Sequence, residues 1–336
     1  MRHYFLIFSL LISNSLLAQV GGESVYAFLN LPSAARQVSL GGAALTLNDD
    51  VNMALWNPAA LDSAVVGNFG VNYNSHLAGN ALGSFCFATE VGKNKHVFHG
   101  GISYLDYGSL TRADENGAIT GVFKAYDLAI TVGYAYPIKN SRFTVGANVK
   151  IINSLIDNFS SFGMATDVSV FYKGADKLTK FTLLLRNVGT QIKTFDGTNE
   201  KLPFQISLGG SKKLEHVPLE FFFTLDNLQQ WELAVPNPAN QETSIDGVVV
   251  DEEISFTDNA MRHLLLGAEL FSDRKFSFRA GYNFRRAKEV VMVDGTTYAG
   301  FSYGFGLKLN GLQFNYAHTK FHPASNPNTF SLIVKF

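Results

Sequence analysis

Residues 128–136 read Leu-Ala-Ile-Thr-Val-Gly-Tyr-Ala-Tyr, with a large apolar residue at every even position and a small residue between each pair. Side chains of a β-strand alternate between the two faces of its sheet, so this segment has one bulky face and one nearly bare face. Soluble antiparallel sheets share this period, but their exposed face is seldom so rich in Gly, Ala and Ser. The asymmetry in size favours a transmembrane strand whose bulky face meets hydrocarbon.

The same alternation recurs along the chain after residue 67, for example in residues 143–151, 276–284 and 301–309. We predict an all-β fold, a transmembrane antiparallel β-barrel of about fourteen strands of roughly ten residues, the length that crosses a bilayer when tilted. The predicted strands lie near residues 68–76, 81–90, 97–106, 122–136, 142–153, 163–172, 180–187, 204–212, 218–227, 262–271, 275–285, 298–309, 312–320 and 329–336.

The spacing of these strands predicts the lengths of the connections. Those after the third, fifth, seventh, ninth, eleventh and thirteenth strands are mostly long, and those after the even strands are short, which is the arrangement of outer-membrane barrels. At the C-terminus Phe330, Leu332, Val334 and Phe336 fall on one face. The final Phe336 places a ring at an interface girdle and is predicted to act as a C-terminal insertion signal.

Composition agrees with a barrel. The chain of 336 residues has a net charge of -1 and only 16% charged residues, below the roughly one quarter typical of soluble domains. No stretch beyond the N-terminus is apolar for about eighteen residues, which excludes a helical membrane protein. The near-zero net charge gives no indication of a nucleic-acid partner. The single Cys86 cannot form an intramolecular disulfide.

Residues 1–18 have the pattern of a secretory signal peptide: a basic start at Arg2, an apolar run from Phe5 to Leu17, and a small residue at Ala18. The alternative is an anchored N-terminal helix. We predict a signal peptide at 1–18, an N-terminal plug at 19–67 and a barrel at 68–336 in the cell outer membrane.

The plug is predicted because residues 35–61 do not alternate as strands do. Turn signals at Gly41-Gly42 and Asn48-Asp49-Asp50 interrupt runs of small residues, and the segment closes on Trp56-Asn57-Pro58, where proline biases its predecessor away from the helical region. We expect short helical turns joined by tight corners. Such a compact piece is predicted to pack inside the barrel, because a barrel of this strand number is too wide to be filled by its own side chains.

This segment also carries a resemblance. Ala35-Arg36, Gly41-Gly42-Ala43, Asn48-Asp49-Asp50 and Ala54-Leu55-Trp56-Asn57-Pro58-Ala59 resemble the N-terminal hatch of the FadL family of fourteen-stranded outer-membrane transporters, and of the type IX secretion proteins built on that fold. Residues 26–32 are more similar to the PorQ-like than to the PorV-like proteins of that group. The sequence departs from the pattern at Ala60, where relatives often have Gly.

The resemblance implies a non-enzymatic outer-membrane component of the type IX secretion and attachment apparatus, in contact with outer-membrane lipids and with PorZ-, PorU- and PorV-like proteins. The alternative that it implies is a channel for hydrophobic small molecules such as long-chain fatty acids. No cofactor or metal is expected. His96 and His99 lie three residues apart with no further candidate ligand nearby in sequence. Ser272-Asp273-Arg274-Lys275 matches a Ser-x-x-Lys motif but lies in a short turn without partner motifs.

Charged residues of the plug and the lumen permit two interpretations. Asp49 and Asp50 could bind a cation, but an acidic pair in a turn more often caps the following helix, and we favour the cap. Side-chain parity directs charges of both signs into the lumen, namely Lys150, Asp167, Glu220, Asp226, Arg279 and Lys308. Mixed signs indicate pairing with each other or with the plug.

Two further sites are expected. Gly100 and Gly101 interrupt the third strand; in the FadL transporters a kink in the third strand opens a lateral exit, although a bulge or a close contact with the plug is the simpler interpretation. The connection from residue 228 to 260 is acidic and long enough to bind a surface partner, through Trp231, Asp251, Glu252 and Glu253. The alternative is a flexible, solvated loop.

Overall fold

The computed structural model describes residues 24–42, 44–76, 79–92, 96–234, 242–243, 249–250, 253–289, 298–321 and 326–336. The predicted signal peptide, residues 1–18, and the first residues of the predicted plug lie outside these ranges, as do Asp251 and Glu252 of the predicted partner-binding loop. None of the helices in the described ranges combines the length and the apolar character needed to cross a membrane.

The chain forms a closed barrel of fourteen antiparallel strands. Each strand pairs with the next along the chain, and the last pairs with the first, Asn68 opposite Lys335. The strands are β1 Asn68–Ser75, β2 Ala81–Val91, β3 His96–Ala113, β4 Ile119–Pro137, β5 Phe143–Ile156, β6 Phe159–Lys173, β7 Thr179–Lys193, β8 Gln205–Lys213, β9 Leu219–Leu225, β10 Leu264–Leu270, β11 Phe276–Asn283, β12 Phe301–Leu309, β13 Leu312–Thr319 and β14 Asn328–Lys335. The predicted fold class is therefore confirmed.

Alternating burial explains why these segments form the wall. In β4 the side chains of Ile130, Val132 and Tyr134 are exposed, whereas Ala129 and Thr131 between them are buried. Apolar bulk thus faces outward, where a membrane supplies hydrocarbon, and small or polar groups face the interior. This is the asymmetry that the sequence predicts for residues 128–136.

The strands from β3 to β7 are longer than predicted. β3 has 18 residues and β4 has 19, and their ladder continues beyond the expected strand ends, with Leu110 opposite Phe123. The connections after the third and fifth strands are consequently the short turns 114–118 and 157–158. The expectation of long loops there is wrong, because their residues extend the hairpins instead.

Short helices lie in the N-terminal segment and in two of the connections between strands. The N-terminal segment, defined here as residues 24–42 and 44–66, contains one α-helical turn, α1 Ala35–Ser39, and 3-10 turns at Ala27–Asn30, Val51–Leu55, Pro58–Ala60 and Ser63–Val65. The long connections carry α2 Phe256–Arg262, which follows β9, and α3 Phe284–Glu289, which follows β11. The expected short helical turns between tight corners are present.

The two ends of the barrel sequence meet at the rim that carries the connections after the even-numbered strands. The backbone N–H of Phe336 donates to the carbonyl of Gly67, 3.0 Å away, and its ring meets Phe69 edge to face at 5.3 Å. Phe336 is exposed on the outer face. The ring therefore lies at the edge of the apolar band, where the sequence places an aromatic girdle.

We expect Val132→Arg, in the middle of the outward face of β4, to lower the free energy of unfolding in lipid by about 2–4 kcal/mol, because the guanidinium would replace an apolar group facing hydrocarbon. Urea titration of the protein in vesicles measures this. Ile119→Arg is the matched control, since Ile119 is exposed at the start of the same strand, beyond the apolar band. Equal losses for both variants would contradict the assigned band.

Candidate functional site

The N-terminal segment packs against the inward faces of strands on all sides of the barrel. Its backbone and side chains form hydrogen bonds with hydroxyl and amide groups of the wall, namely Ala35 N with Ser331 Oγ, Gly41 N with Ser302 Oγ, Asn52 Oδ1 with Asn72 Nδ2, Ala54 O with Asn148 Nδ2, and Ala59 N with Ser169 Oγ. A segment that contacts opposite walls of a closed barrel occupies its interior.

Gly41 and Gly42 form the sharpest corner of this segment. Their φ angles are 94° and 104°, in the region that favours glycine. The same corner lies against Gly281 of β11, where a Cβ would collide with the Gly41 backbone nitrogen. The bare inner face of the wall is therefore what lets the backbone of the N-terminal segment approach it.

Buried Arg36 forms one ion pair within the N-terminal segment and one buried ion pair with the wall. Its Nη1 lies 2.7 Å from Asp49 Oδ1, and its Nη2 lies 2.8 Å from Glu269 Oε2 of β10. The other Glu269 oxygen accepts from Arg279 Nε of β11 at 2.7 Å. Glu269 is thus shared by two guanidinium groups, and removing it would leave both without this counter-charge in the interior.

The adjacent residues Asp49 and Asp50 have different roles. Asp50 caps the turn Val51–Leu55, accepting from the backbone N–H of Asn52 at 3.0 Å, as the favoured interpretation predicts. Burial raises its pKa. Burial also acts against ionisation of Asp49, but the Arg36 guanidinium outweighs it and holds the pKa of that carboxyl well below its usual range. Asp49 is therefore an ion-pair partner and not a cap.

Trp56-Asn57-Pro58-Ala59 forms a second corner against the opposite wall. Asn57 is fully buried, and its Nδ2 donates to Leu45 O at 2.8 Å and to Thr182 Oγ1 of β7 at 3.1 Å. The guanidinium of Arg186 stacks over the Trp56 ring at 3.5 Å. This corner fixes both the path of the N-terminal segment and the position of a buried cation.

The charged residues predicted to face the lumen, because side chains alternate along a strand, have polar or charged partners in the interior. Lys150 Nζ of β5 lies 2.8 Å from Asp167 of β6, and both side chains are buried. Lys180 Nζ lies 2.8 Å from Glu220 Oε1. Of the other predicted lumen charges, Arg279 contacts Glu269, Asp226 accepts from Ser207 and Gln205, and Lys308 donates to the carbonyl of Ser272. The mixed signs reflect a structural network.

Sequence reasoning missed Glu269, Arg186 and Asn187. Glu269 and Arg186 lie on the inward faces of β10 and β7, so the alternation that selected Lys150 could have selected them. Asn187 could not be found in this way, because a shift of register between β6 and β7 turns it inward directly after Arg186. Its role depends on a bulge that alternation alone does not show.

The ladder passes through Gly100 and Gly101 without a break. Gly100 pairs with Phe87 on one side and Val132 on the other, and Gly101 pairs with Cys86 and Thr131. The two irregularities of β3 fall instead between Asp106 and Ser109 and between Arg112 and Ala113. The pairing is thus regular at these glycines, and the lateral gate stays a prediction. A Cβ on Gly101 would collide with the β2 backbone, so the glycines serve close approach of neighbouring strands.

The outer connection after β9 packs partly on itself. Trp231 stacks on His263 with ring centroids 5.2 Å apart and contacts Phe256 at 5.0 Å. Residues 242–243 pair with residues 249–250 in a two-stranded antiparallel sheet within this connection. Glu253 is exposed. Partner binding through Trp231 and Glu253 stays a prediction, and about half of the Trp231 side chain remains free for it.

Among the residues that the structure describes, no three His, Cys, Asp or Glu side chains lie close enough together to hold a metal ion. His96 and His99 lie on opposite faces of β3: His96 contacts Tyr134, and His99 is buried with its Nε2 2.8 Å from Asn148 Oδ1. The two histidines therefore cannot act as one ligand pair.

Comparison with known protein families finds no match, and no curated protein is similar in sequence. Solved structures do show similarity. The toluene transporter TbuX of Ralstonia pickettii aligns with a TM-score of 0.53 and 14% identity, covering 91% of this chain and 99% of TbuX. A mutant of the TodX monoaromatic hydrocarbon channel aligns with a TM-score of 0.52 and 14% identity, covering 91% of this chain and 99% of the TodX chain. A FadL homologue of Pseudomonas aeruginosa aligns with a TM-score of 0.51 and 12% identity, covering 90% of this chain and 98% of the homologue. At these identities the likeness establishes the fold alone.

We expect Glu269→Ala to destabilise the protein by about 3–5 kcal/mol, because Arg36 and Arg279 would lose a buried counter-charge that they share. Urea unfolding measures the loss, and limited proteolysis should show earlier cleavage within residues 24–66. Asp273→Ala is the control, because its pair with Lys213 lies at the surface and should contribute about 0–1 kcal/mol. A Glu269→Ala protein with wild-type stability would show that this ion group does not hold the N-terminal segment.

Proposed function

We propose that the protein is a non-enzymatic outer-membrane barrel that admits hydrophobic small molecules, with the N-terminal segment as a movable hatch. The observation that carries the proposal is a closed fourteen-stranded barrel with a peptide segment folded into its interior. Structures that share the fold over about nine tenths of this chain include a toluene transporter and a monoaromatic hydrocarbon channel.

Apolar side chains of the N-terminal segment line part of the interior. A small cavity lies between the N-terminal segment and the wall, lined by Phe28, Leu29, Leu31, Leu55 and Trp56 together with groups of the wall that include Lys150 and Arg186. Its volume is about 20 Å³, room for one water molecule. Passage of anything larger requires the N-terminal segment to move. The many neutral hydrogen bonds that hold it are individually weak enough for such movement.

The proposal predicts that fixing the N-terminal segment to the wall stops transport. A Cβ on Gly209 of β8 would lie 2.8 Å from Leu45 Cβ, so Leu45→Cys with Gly209→Cys, in a Cys86→Ser background, should form a disulfide after slight adjustment. We expect the oxidised variant to lose uptake of radiolabelled toluene and oleate into cells that lack their own transporter, and a reductant to restore it.

Leu45→Cys alone, treated identically, is the control for effects of oxidation. Full uptake by the cross-linked protein would contradict a movable hatch. Wild-type protein that takes up neither compound, although it is present in the outer membrane, would refute the transport function itself.

The second candidate function is that of a component of the type IX secretion and attachment apparatus. The sequence motif of residues 35–59 favours it, as do the helices at the rim that carries the connections after β9 and β11. There α2 and α3 are joined by Lys288 Nζ and Asp258 Oδ1 at 2.8 Å, beside the acidic connection that contains Glu253. Such a rim could hold a partner with a basic surface. Under this second function the filled interior is permanent and the barrel is a platform.

The second candidate predicts that deleting residues 236–256 leaves a membrane-inserted barrel but abolishes recovery of surface partners with an affinity-tagged protein, because that connection lies outside the strand ladder. Heat-modified migration on gels checks that the barrel is folded, and mass spectrometry of the eluate identifies partners. Deletion of the turn residues 115–117 serves as a control at the same rim. Partners recovered equally from both deletions would place binding elsewhere.

A further inference from the structure

Strand β7 projects beyond the first residue of β8 at one rim of the closed barrel. Strand β7 continues to Lys193 against β6, but its ladder with β8 ends at Arg186 opposite Gln205. The β8-facing edge of residues 187–193 therefore has no strand partner in the described ranges. Residues 199–204, which lead into β8, do not continue the ladder and contact the end of β7 only through side chains, such as Gln191 Oε1, which accepts from the backbone N–H of Glu200 at 2.7 Å. A pocket of about 550 Å³ occupies the gap, which we call the wall notch: residues 187–190 and 199–204.

A bulge in β7 produces the wall notch. Arg186 and Asn187 are consecutive residues, yet both are buried on the inner face, and the register between β6 and β7 shifts between Thr166 and Val168. Asn187 has a φ of 56°, a left-handed conformation that asparagine tolerates. Bulges bend the strand that carries them, so the end of β7 diverges from β8.

Asn187 is held by four neighbours, so the wall notch has a fixed inner side. Its backbone N–H donates to Asp167 Oδ1 at 2.9 Å, and its Oδ1 accepts from Lys150 Nζ at 2.9 Å. Its Nδ2 donates to Asn30 Oδ1 at 2.9 Å and to the carbonyl of Pro203 at 3.0 Å. The contact with Asn30 links the wall notch directly to the N-terminal segment.

The small interior cavity lies on the other side of the same residues. Arg186, which lines that cavity, donates from Nη2 to the carbonyl of Leu29 at 2.7 Å. Its buried Nε has no hydrogen-bond partner among the described residues. Arg186 and Asn187, with Leu29 and Asn30 of the N-terminal segment, thus separate the wall notch from the cavity. Movement of residues 29–30 would join the two spaces.

The lining and position of the wall notch define what it would hold. Val188, Leu202 and Phe204 supply apolar surface, and Asn187, Thr190 and Lys201 supply hydrogen-bonding groups at its edges. The volume is in the range of small-molecule sites, about 300–1,000 Å³. About nine residues of a tilted strand cross the hydrocarbon, so residues that follow Asn187 in β7, which starts at Thr179, lie at the outer margin of the apolar band. Amphipathic molecules concentrate at that margin.

We propose that the wall notch is a binding site for a hydrophobic molecule that carries one hydrogen-bonding head group, and that it admits this molecule to the interior past the outer end of the β7–β8 ladder when residues 29–30 of the N-terminal segment move. The inference rests on the proposed transport function for its purpose, but binding at the wall notch is measured separately from uptake.

Tryptophan fluorescence tests binding at the wall notch. In a Trp231→Phe background, Phe204→Trp places a reporter in the wall notch with little change of shape, and the signal of the parent protein, which retains Trp56, is subtracted. The probe is 9,10-dibromostearate, whose bromine atoms quench nearby indoles, added to the protein in detergent. We expect saturable quenching of the indole introduced at position 204, reversal of that quenching by unbrominated stearate, and an apparent Kd raised at least tenfold by Val188→Asp.

Phe181→Trp is the matched control, because Phe181 is about equally exposed on the outward face of β7 but lies where the β7–β8 ladder is intact. We expect its quenching to rise linearly as the probe enters the detergent. Linear quenching at both positions, or a Kd unchanged by Val188→Asp, would overturn the proposed site. Saturable quenching at residue 204 without uptake by wild-type cells would support the binding site and refute transport. Uptake together with linear quenching at residue 204 would support transport and refute the binding site.

Discussion

Pairing of backbone N–H and C=O groups in hydrocarbon is the constraint on which this structure depends. An apolar surrounding offers no hydrogen bonds, so the strands must satisfy one another and the sheet must close, as β1 and β14 do. Closure fixes which face of each strand meets lipid and which meets the interior. The outward bulk of β4 and the small groups behind it follow from that single requirement.

The interior then has its own requirement. Fourteen strands enclose more space than small inward side chains fill, and the N-terminal segment occupies it. Glycines such as Gly281 and Gly146 let its backbone lie against the wall, while serines and asparagines of the wall pair with its peptide groups. The shared Glu269 adds charge pairing at one corner. The N-terminal segment is thus joined to the wall by polar contacts as well as by apolar packing, for example in the buried cluster that contains Leu45 together with Leu184 and Phe222 of the wall.

This organisation bears on function. A plug held by many hydrogen bonds to water-compatible groups can exchange them for solvent at modest cost, which suits a movable hatch. Buried ion pairs such as Arg36 with Glu269 are costly to break and suit a fixed anchor. The ion pair of Arg36 with Glu269 faces β10, whereas residues 29–30 face the bulge of β7 through a neutral bond from Asn187 to Asn30 and a charge-assisted bond from Arg186 to Leu29.

The sequence by itself determined the strands, their outward faces, the inward charges and the turns of the N-terminal segment, because each depends on residues a few positions apart. Asp50 as a cap and Lys150 as an inward charge are of this kind. The tertiary structure alone decided what meets across the interior: Arg36 with Glu269, Ala59 with Ser169, and Asn30 with Asn187. It also decided that the wall stays paired at Gly100 and Gly101 and that the β7–β8 ladder ends at Arg186. These features depend on register between strands, which a one-residue shift changes and which local periodicity does not specify.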